Sequence, residues 1–219
     1  MQDTKTRILD AAERLLADRG LAACSIRAVT AAAGVNLGAV NYHFRTKQDL
    51  IQAVFARRLK PLNRERLAEL DACEARAGDR AVPLEDLLHA FLAPAMNLER
   101  DGTAFVRLLG RMYTEPYLDS QRIFAAELGE VVQRFFRAFH RTLPQLPPEE
   151  LFWRLFFTVA IMAQTLAAGS LLRHISKGLC NPSDLQGAQI RLIQFAGAGL
   201  GAPVAGTRKS RKAGKGGSS

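Results

Sequence analysis

Cysteine is scarce in this chain. Cys24, Cys73 and Cys180 are odd in number, far apart and without a CxxC spacing. That excludes a disulfide framework or a thiolate cage for zinc and fits a reducing compartment. Histidine is as sparse: His43, His89, His140 and His174 show no HExxH spacing, so no metal site is expected. Strand-like alternation is sustained nowhere, which removes the sheet folds. Catalytic constellations are missing too. Glu149 and Glu150 are neighbours and point apart on a helix, so they make no acid/base pair. The glycines of 197–201 follow a helical stretch rather than a strand and lack the full dinucleotide spacing. The chain is therefore expected not to be an enzyme and to need no cofactor.

Membrane signals are equally thin. No basic-then-apolar segment opens the chain, so a cytoplasmic protein is expected. Residues 155–172 carry no charge between Arg154 and Arg173, near the ~20 residues that a span needs. Thr158, Gln164, Thr165, Gly169 and Ser170 dilute that run, and a helix buried on most sides explains it better than a span.

What is present is positive charge at the two ends and apolar bulk between them. The net charge is +9 over 219 residues, of which 48% are apolar. Residues 1–60 hold ten Lys and Arg against five acids, and residues 208–219 hold five bases and no acid. The stretch between is nearly neutral, with fifteen bases and sixteen acids. A basic head beside a neutral core suggests a polyanionic partner, usually nucleic acid. Anionic membrane is the competing reading.

The chain reads as an all-α protein of about nine helices. Ile8, Ala11, Ala12, Leu15 and Leu16 line one face of a first helix over 4–19, with Arg7, Asp10, Glu13 and Arg14 on the other and Gly20 as its stop. Ser25 caps a second helix to Ala33, Gly34 turns the chain, and Asn36 caps a third over 37–44. Thr46 caps a fourth running toward the seventies, and 73–83 reads as a loop or fraying end. Apolar helical stretches follow near 84–99, 103–113, 120–143, 149–177 and 184–200, broken at Asp101-Gly102, Glu115-Pro116, 144–148 and 178–182. The organisation expected is a three-helix head (1–47), a ligand-binding and dimerisation body (48–202) and a flexible basic tail (203–219).

Two short helices about a glycine turn make a helix-turn-helix. Val29, Val35, Val40 and Phe44 supply its small core, and Leu37 reads as packing with them, with contact to a thymine methyl as the alternative. The outward face then carries Gly38, Asn41, Tyr42 and Arg45. Gly38 admits close backbone approach. Asn41 suits an adenine edge and Arg27 a guanine. Tyr42, His43, Thr46 and Lys47 suit phosphate oxygens, and Arg45 reads as merely solvated.

Residues 4–55 resemble the TetR family of bacterial regulators. The resemblance rests on 8–16, on Gly34-Val35-Asn36, and on Tyr42-His43-Phe44 with Lys47 and Leu50. It implies a dimer paired through the last two long helices, a ligand pocket between the middle ones, and DNA contacts at Arg27, Asn36, Gly38, Asn41, Tyr42, His43 and Lys47. Asn41 stands where a tyrosine is frequent, which favours base reading over a phosphate contact. Segments 40–44, 50–55, 105–110 and 147–154 are similar to the PsrA-like subgroup, whose members respond to long-chain fatty acids or their thioesters. That implies a small hydrophobic effector and release from a palindromic operator on double-stranded DNA.

The body's composition is compatible with such an effector. Phe91, Phe105, Met112, Phe135, Phe139, Trp153, Phe156, Phe157 and Met162 offer an adaptable apolar lining. Phe105, Arg107, Met112, Phe139, Trp153 and Phe157 are the ligand residues expected, with Arg107 or Arg154 meeting a carboxylate or phosphate. The alternative is that the aromatics are ordinary core and the arginines pair with Glu149, Glu150 or solvent. At the level of function, the alternative is an architectural DNA-binding protein without an effector.

Overall fold

The dominance of Ala, Leu, Arg and Glu is answered by helices. The computed structural model describes residues 3–97, 105, 108, 120–167 and 169–204. Among these, nine helices and no strand occur: α1 (Thr4–Ala23), α2 (Ile26–Ala33), α3 (Leu37–His43), α4 (Lys47–Ala77), α5 (Leu84–Asn97), α6 (Ser120–Thr142), α7 (Pro148–Ala167), α8 (Gly169–Ile175) and α9 (Leu185–Gly201). Phe105 and Leu108 are helical and buried as well; the rest of the stretch expected over 103–113 lies outside the described residues.

Most boundaries fall where the caps predict. Gly20 does break α1, with φ 79 and ψ 169, but helix resumes on its far side to Ala23. The fourth helix is longer than expected. It continues through Cys73 and ends at Gly78, whose φ of 60 stops it. Leu70 and Cys73, three apart and both buried, carry its apolar face beyond the expected loop. The stretch expected over 149–177 is divided into α7 and α8.

The thirty-one residues of α4 give a rod about 46 Å long at 1.5 Å per residue, and both ends of the molecule are built on it. Its first half packs against α1, which also holds α2 and α3; its second half packs against α5 and α6. α9 closes the body against α5 and α7. One apolar core runs through all of this, from Ile8 and Val40 through Phe55, Leu70 and Leu92 to Phe139, Leu151 and Leu200. Pro61 sits inside α4, where it has no N–H to give to the carbonyl four residues earlier. Arg134 of α6 reaches α4 at Asp71 (2.5 Å) and Glu74 (3.0 Å). The hydrogen bond to Asp71 raises the pKa of its guanidinium further.

One charged residue departs from its expected surroundings, and Arg154 pairs with Glu150 as the alternative reading of the sequence had it. Glu13 reads as solvent-facing in the sequence, yet it is only 5% exposed. Arg57 (2.5 Å) and Arg58 (3.0 Å) of α4 hold its carboxylate, and Arg57 also takes Asp10 at 2.6 Å. The head is thereby clamped to α4 just before Pro61. Arg154 is 9% exposed. It pairs with Glu150 at 2.8 Å and donates to the carbonyls of Gly199, Leu200, Ala202 and Pro203. It thus satisfies the orphan carbonyls at the C-terminus of α9, where a cation also meets the negative end of the helix dipole. Among the described residues no helix is long and apolar enough to cross a membrane.

Candidate functional site

The head's geometry follows from local hydrogen bonding. Ser25 Oγ accepts from the Ala28 amide at 3.2 Å and starts α2. Gly34 ends it in the left-handed region, at φ 63 and ψ 41, where a side chain is strained. A Cβ there would also lie 3.1 Å from Arg7 Nη2. That nitrogen donates to the carbonyls of Ala33 (2.7 Å) and Gly34 (3.0 Å), so α1 pins the turn directly. Asn36 Oδ1 accepts from the Ala39 amide at 2.8 Å and starts α3. Thr46 and Asp49 exchange hydrogen bonds of 3.1 and 3.0 Å in a capping box that starts α4.

These constraints fix which face of α3 looks outward. Val29, Val40 and Phe44 are buried and Val35 packs on them. Gly38, Asn41, Tyr42, Arg45 and Thr46 are exposed, as is Arg27 of α2, while His43 and Lys47 are half-buried beside them. Tyr42 is 85% exposed and meets His43 edge-on, with ring centroids 5.1 Å apart. Leu37 does not pack inward as expected: it is 50% exposed. Val29, Val40 and Phe44 already close the small core, and the first turn of α3 projects past them. The side-chain oxygens of Asn36 and Thr46 serve the caps. Below this surface, burial pushes the Cys24 thiol above its ordinary pKa, against the opposing pull of Lys47 and Arg19.

The second feature is a cavity of about 470 Å³ between α4, α5, α6 and α7. Leu59, Leu62 and Arg66 of α4 form one wall, and Phe91 and Ala95 of α5 another. Phe135, Phe136 and Phe139 of α6 and Phe152, Phe156 and Met162 of α7 supply most of the remainder. Phe136 of α6 and Phe152 of α7 stack with ring centroids 4.1 Å apart. Arg66 is the one charged side chain among the described lining residues. It is 5% exposed. Its Nε donates to the Phe91 carbonyl at 2.8 Å, and its Cζ stands 4.7 Å from the centre of the Phe91 ring.

Of the ligand residues expected from sequence, Phe139 lines this cavity. Phe105 is buried against Phe55, with centroids 6.1 Å apart, and is not part of the wall. Trp153 and Phe157 are half-exposed on the outside of α7, their rings 5.7 Å apart. The reason is periodicity. α7 is apolar almost all round, and Phe152, Phe156, Val159, Met162 and Ala163 share the cavity face, leaving Trp153 and Phe157 one position off it. Arg107 and Met112 lie outside the described residues. Arg154 is occupied at α9. Sequence reasoning missed Arg66, although an arginine in register with Leu59, Leu62 and Leu70 is a legible signal. Beside the cavity, and sharing Val131 with it, runs a polar groove bordered by Lys60, Asn63, Arg64, Glu127 and Glu130. Asn63 Nδ2 donates to the Glu127 carbonyl, while its buried Oδ1 has no partner among the described residues.

Comparison with known proteins covers the head and most of the body. A family model for "Bacterial regulatory proteins, tetR family" matches residues 8–54. One for "Tetracyclin repressor-like, C-terminal domain" matches residues 89–199. The HTH-type transcriptional regulator TtgR of Pseudomonas putida is 40% identical over 53 residues, which are 24% of this chain and 25% of that protein. The match thus spans about a quarter of the length of TtgR and of the similar regulators ArpR and AcrR. Among solved structures, FadR of Bacillus subtilis in complex with stearoyl-CoA superposes with a TM-score of 0.58 at 13% identity, covering 89% of this chain and 98% of that one. SmeT, the repressor of the Stenotrophomonas maltophilia multidrug efflux pump SmeDEF, does so with 0.58 at 20%, covering 89% of each. At such identities the likeness is one of fold.

Proposed function

Since the chain belongs to the TetR family of bacterial regulatory proteins, we propose that it is a sequence-specific DNA-binding transcriptional regulator whose affinity for its operator is set by a hydrophobic ligand in the body. The observation that carries this is the outward face of α3. Gly38, Asn41 and Tyr42 are exposed there, on a helix started by the Asn36 cap and preceded by the turn that Arg7 pins. An exposed tyrosine on a seven-residue helix contributes little to folding. Asn41 and Arg27 read base edges, Gly38 admits the DNA backbone, and Asn36, Tyr42, His43, Thr46 and Lys47 hold phosphates.

A dimer would present two such helices ~34–36 Å apart, one turn of B-DNA, to an approximately palindromic operator. Pairing through α7 and α9, the last two long helices, is supported by the exposed Trp153 and Phe157 on the first and Ile190 and Phe195 on the second. The division into a head to about residue 47 and a ligand-binding and dimerisation body to about 202 follows from the same reading. In this reading the protein is a repressor of the fatty-acid-responsive, PsrA-like subgroup. An apolar cavity supports that, as does the stearoyl-CoA bound by the structurally similar FadR. A cavity of this size favours an effector-controlled regulator over an architectural DNA binder, which would have a filled body.

Ligand binding tilts α4, which joins cavity to head, and takes the heads out of register. Linkage requires the ligand to prefer the released state by the factor with which it weakens operator binding, typically ~1–3 kcal/mol. The test is to identify the small molecules that copurify with the protein and titrate them against a selected operator. Release of that operator at stoichiometric ligand is the expected result. Absence of any duplex that binds better than random DNA would overturn the reading.

A further inference from the structure

We propose that Leu37 selects operator sequence by packing on the 5-methyl group of a thymine in the major groove. The inference rests on the DNA-binding reading above and adds a base-reading side chain to it. Leu37 opens α3 and is 50% exposed. Single leucines at a surface are ordinary, so place and neighbours decide its meaning. Asn41 lies four residues on and Gly38 next to it, and both are exposed. Residues three or four apart share a helix face, so Leu37 belongs to the face that carries Asn41. A helix-turn-helix presents the first residues of its second helix to base edges, and Leu37 is the first.

What a leucine can recognise there follows by elimination. Its side chain neither donates nor accepts a hydrogen bond. Guanine, adenine and cytosine show polar groups to the major groove, and thymine alone adds an apolar one, the C5 methyl. Pressed on a polar edge, Leu37 would strip its water without replacing the hydrogen bonds. Pressed on a methyl, it buries apolar surface on both sides. The position is also held. Asn36 Oδ1 accepts from the Ala39 amide at 2.8 Å, which fixes the first turn of α3. A Cβ at residue 38 would stand 3.3 Å from that oxygen, so glycine leaves both the cap and the space next to Leu37 clear. Helix neighbours four apart are about 5–6 Å from each other at Cβ, against about 3.4 Å between successive bases of a strand. The thymine thus lies within about two base pairs of the base that Asn41 reads.

The experiment uses the full chain and an operator selected from random duplexes. Each thymine is replaced in turn by deoxyuridine, which lacks only that methyl, and affinity is read by fluorescence anisotropy. One thymine per half-site should respond. Its replacement lowers affinity roughly fourfold in one half-site and about fifteenfold in both, the worth of ~0.8 kcal/mol for each buried methyl. In Leu37→Ala the affinity for the thymine operator falls by a similar factor, and deoxyuridine at that position makes no further difference. Cytosine and 5-methylcytosine at the same position separate the methyl from the rest of the base. The methylated duplex should bind the wild type better than the unmethylated one, and Leu37→Ala equally. Leu37 lies outside the core, so thermal unfolding should show both the variant and the wild type folded; Leu37→Ser serves as the second methyl-blind variant. Duplexes indifferent to every methyl, or a preference that survives in the variants, overturn the Leu37 assignment alone. If no duplex is selected over random DNA, the DNA-binding reading falls with it.

Discussion

Asn41 on α3 and Lys47 at the start of α4 are six residues apart, yet they are expected to fail in different ways. Asn41→Ala should cost roughly 1–3 kcal/mol on the correct operator and relax one base position, measured by anisotropy on operators varied at that position. Lys47→Ala should weaken every duplex alike and flatten the log–log salt slope by about one unit. The thiols give a test independent of DNA. Burial pushes Cys24 and Cys73 above the ordinary thiol pKa, whereas Cys180 is exposed. A thiol reagent near neutral pH should therefore label one cysteine quickly and the other two only after unfolding. The sign for stability follows. The neutral thiols favour the fold below the ordinary thiol pKa, and that contribution is lost as pH rises above it, so alkaline melts should show a falling Tm. At this scale Asn41 and Tyr42 are legible from sequence, because their distance from Val40 and Phe44 fixes their face. Glu13 is not. Residue type sends a charge to solvent, and only partners far away in sequence, such as Arg57 forty-four residues from Glu13, reverse it.

Helix ends were the easier reading at the level of elements, since Ser25, Asn36 and Thr46 each name a boundary by their capping chemistry. The far end of α4 was harder, because an apolar face that continues without a cap gives no stop until Gly78. The face of α7 was harder still. Adjacent apolar rings on neighbouring faces of one helix do not say which meets the cavity and which the outside, so Phe156 and Phe157 cannot be separated without the neighbours. Arg154 belongs to this scale because it joins two helices. Arg154→Met should destabilise by about 3–5 kcal/mol, leaving the carbonyls of α9 unsatisfied and Glu150 unpaired. A depressed Tm, with amide exchange accelerated in α9 before α2 and α3, is the expected pattern.

For the molecule as a whole, all-helical architecture and a basic head on a neutral body follow from composition and period alone. The division of the phenylalanines between cavity, core and outer surface depends on packing, and no local pattern contains it. If the outer face of α7 meets a second copy, Trp153→Glu should shift sedimentation from dimer to monomer. Affinity for a full palindrome should then fall to that of a half-site. A variant that stays dimeric would move the interface elsewhere. Pro61 bears on how such a dimer could work. The carbonyl of Arg57 has no helical donor, so pivoting α4 there severs no rung of the ladder. The Glu13 clamp lies immediately on the head side of that joint, and Arg66 lies on the other. A push from the cavity would thus swing the entire reading head as one rigid piece, and Pro61→Ala, by restoring the rung, should stiffen the joint. Ligand affinity should then hold while operator release weakens, as a paired titration and release assay would reveal.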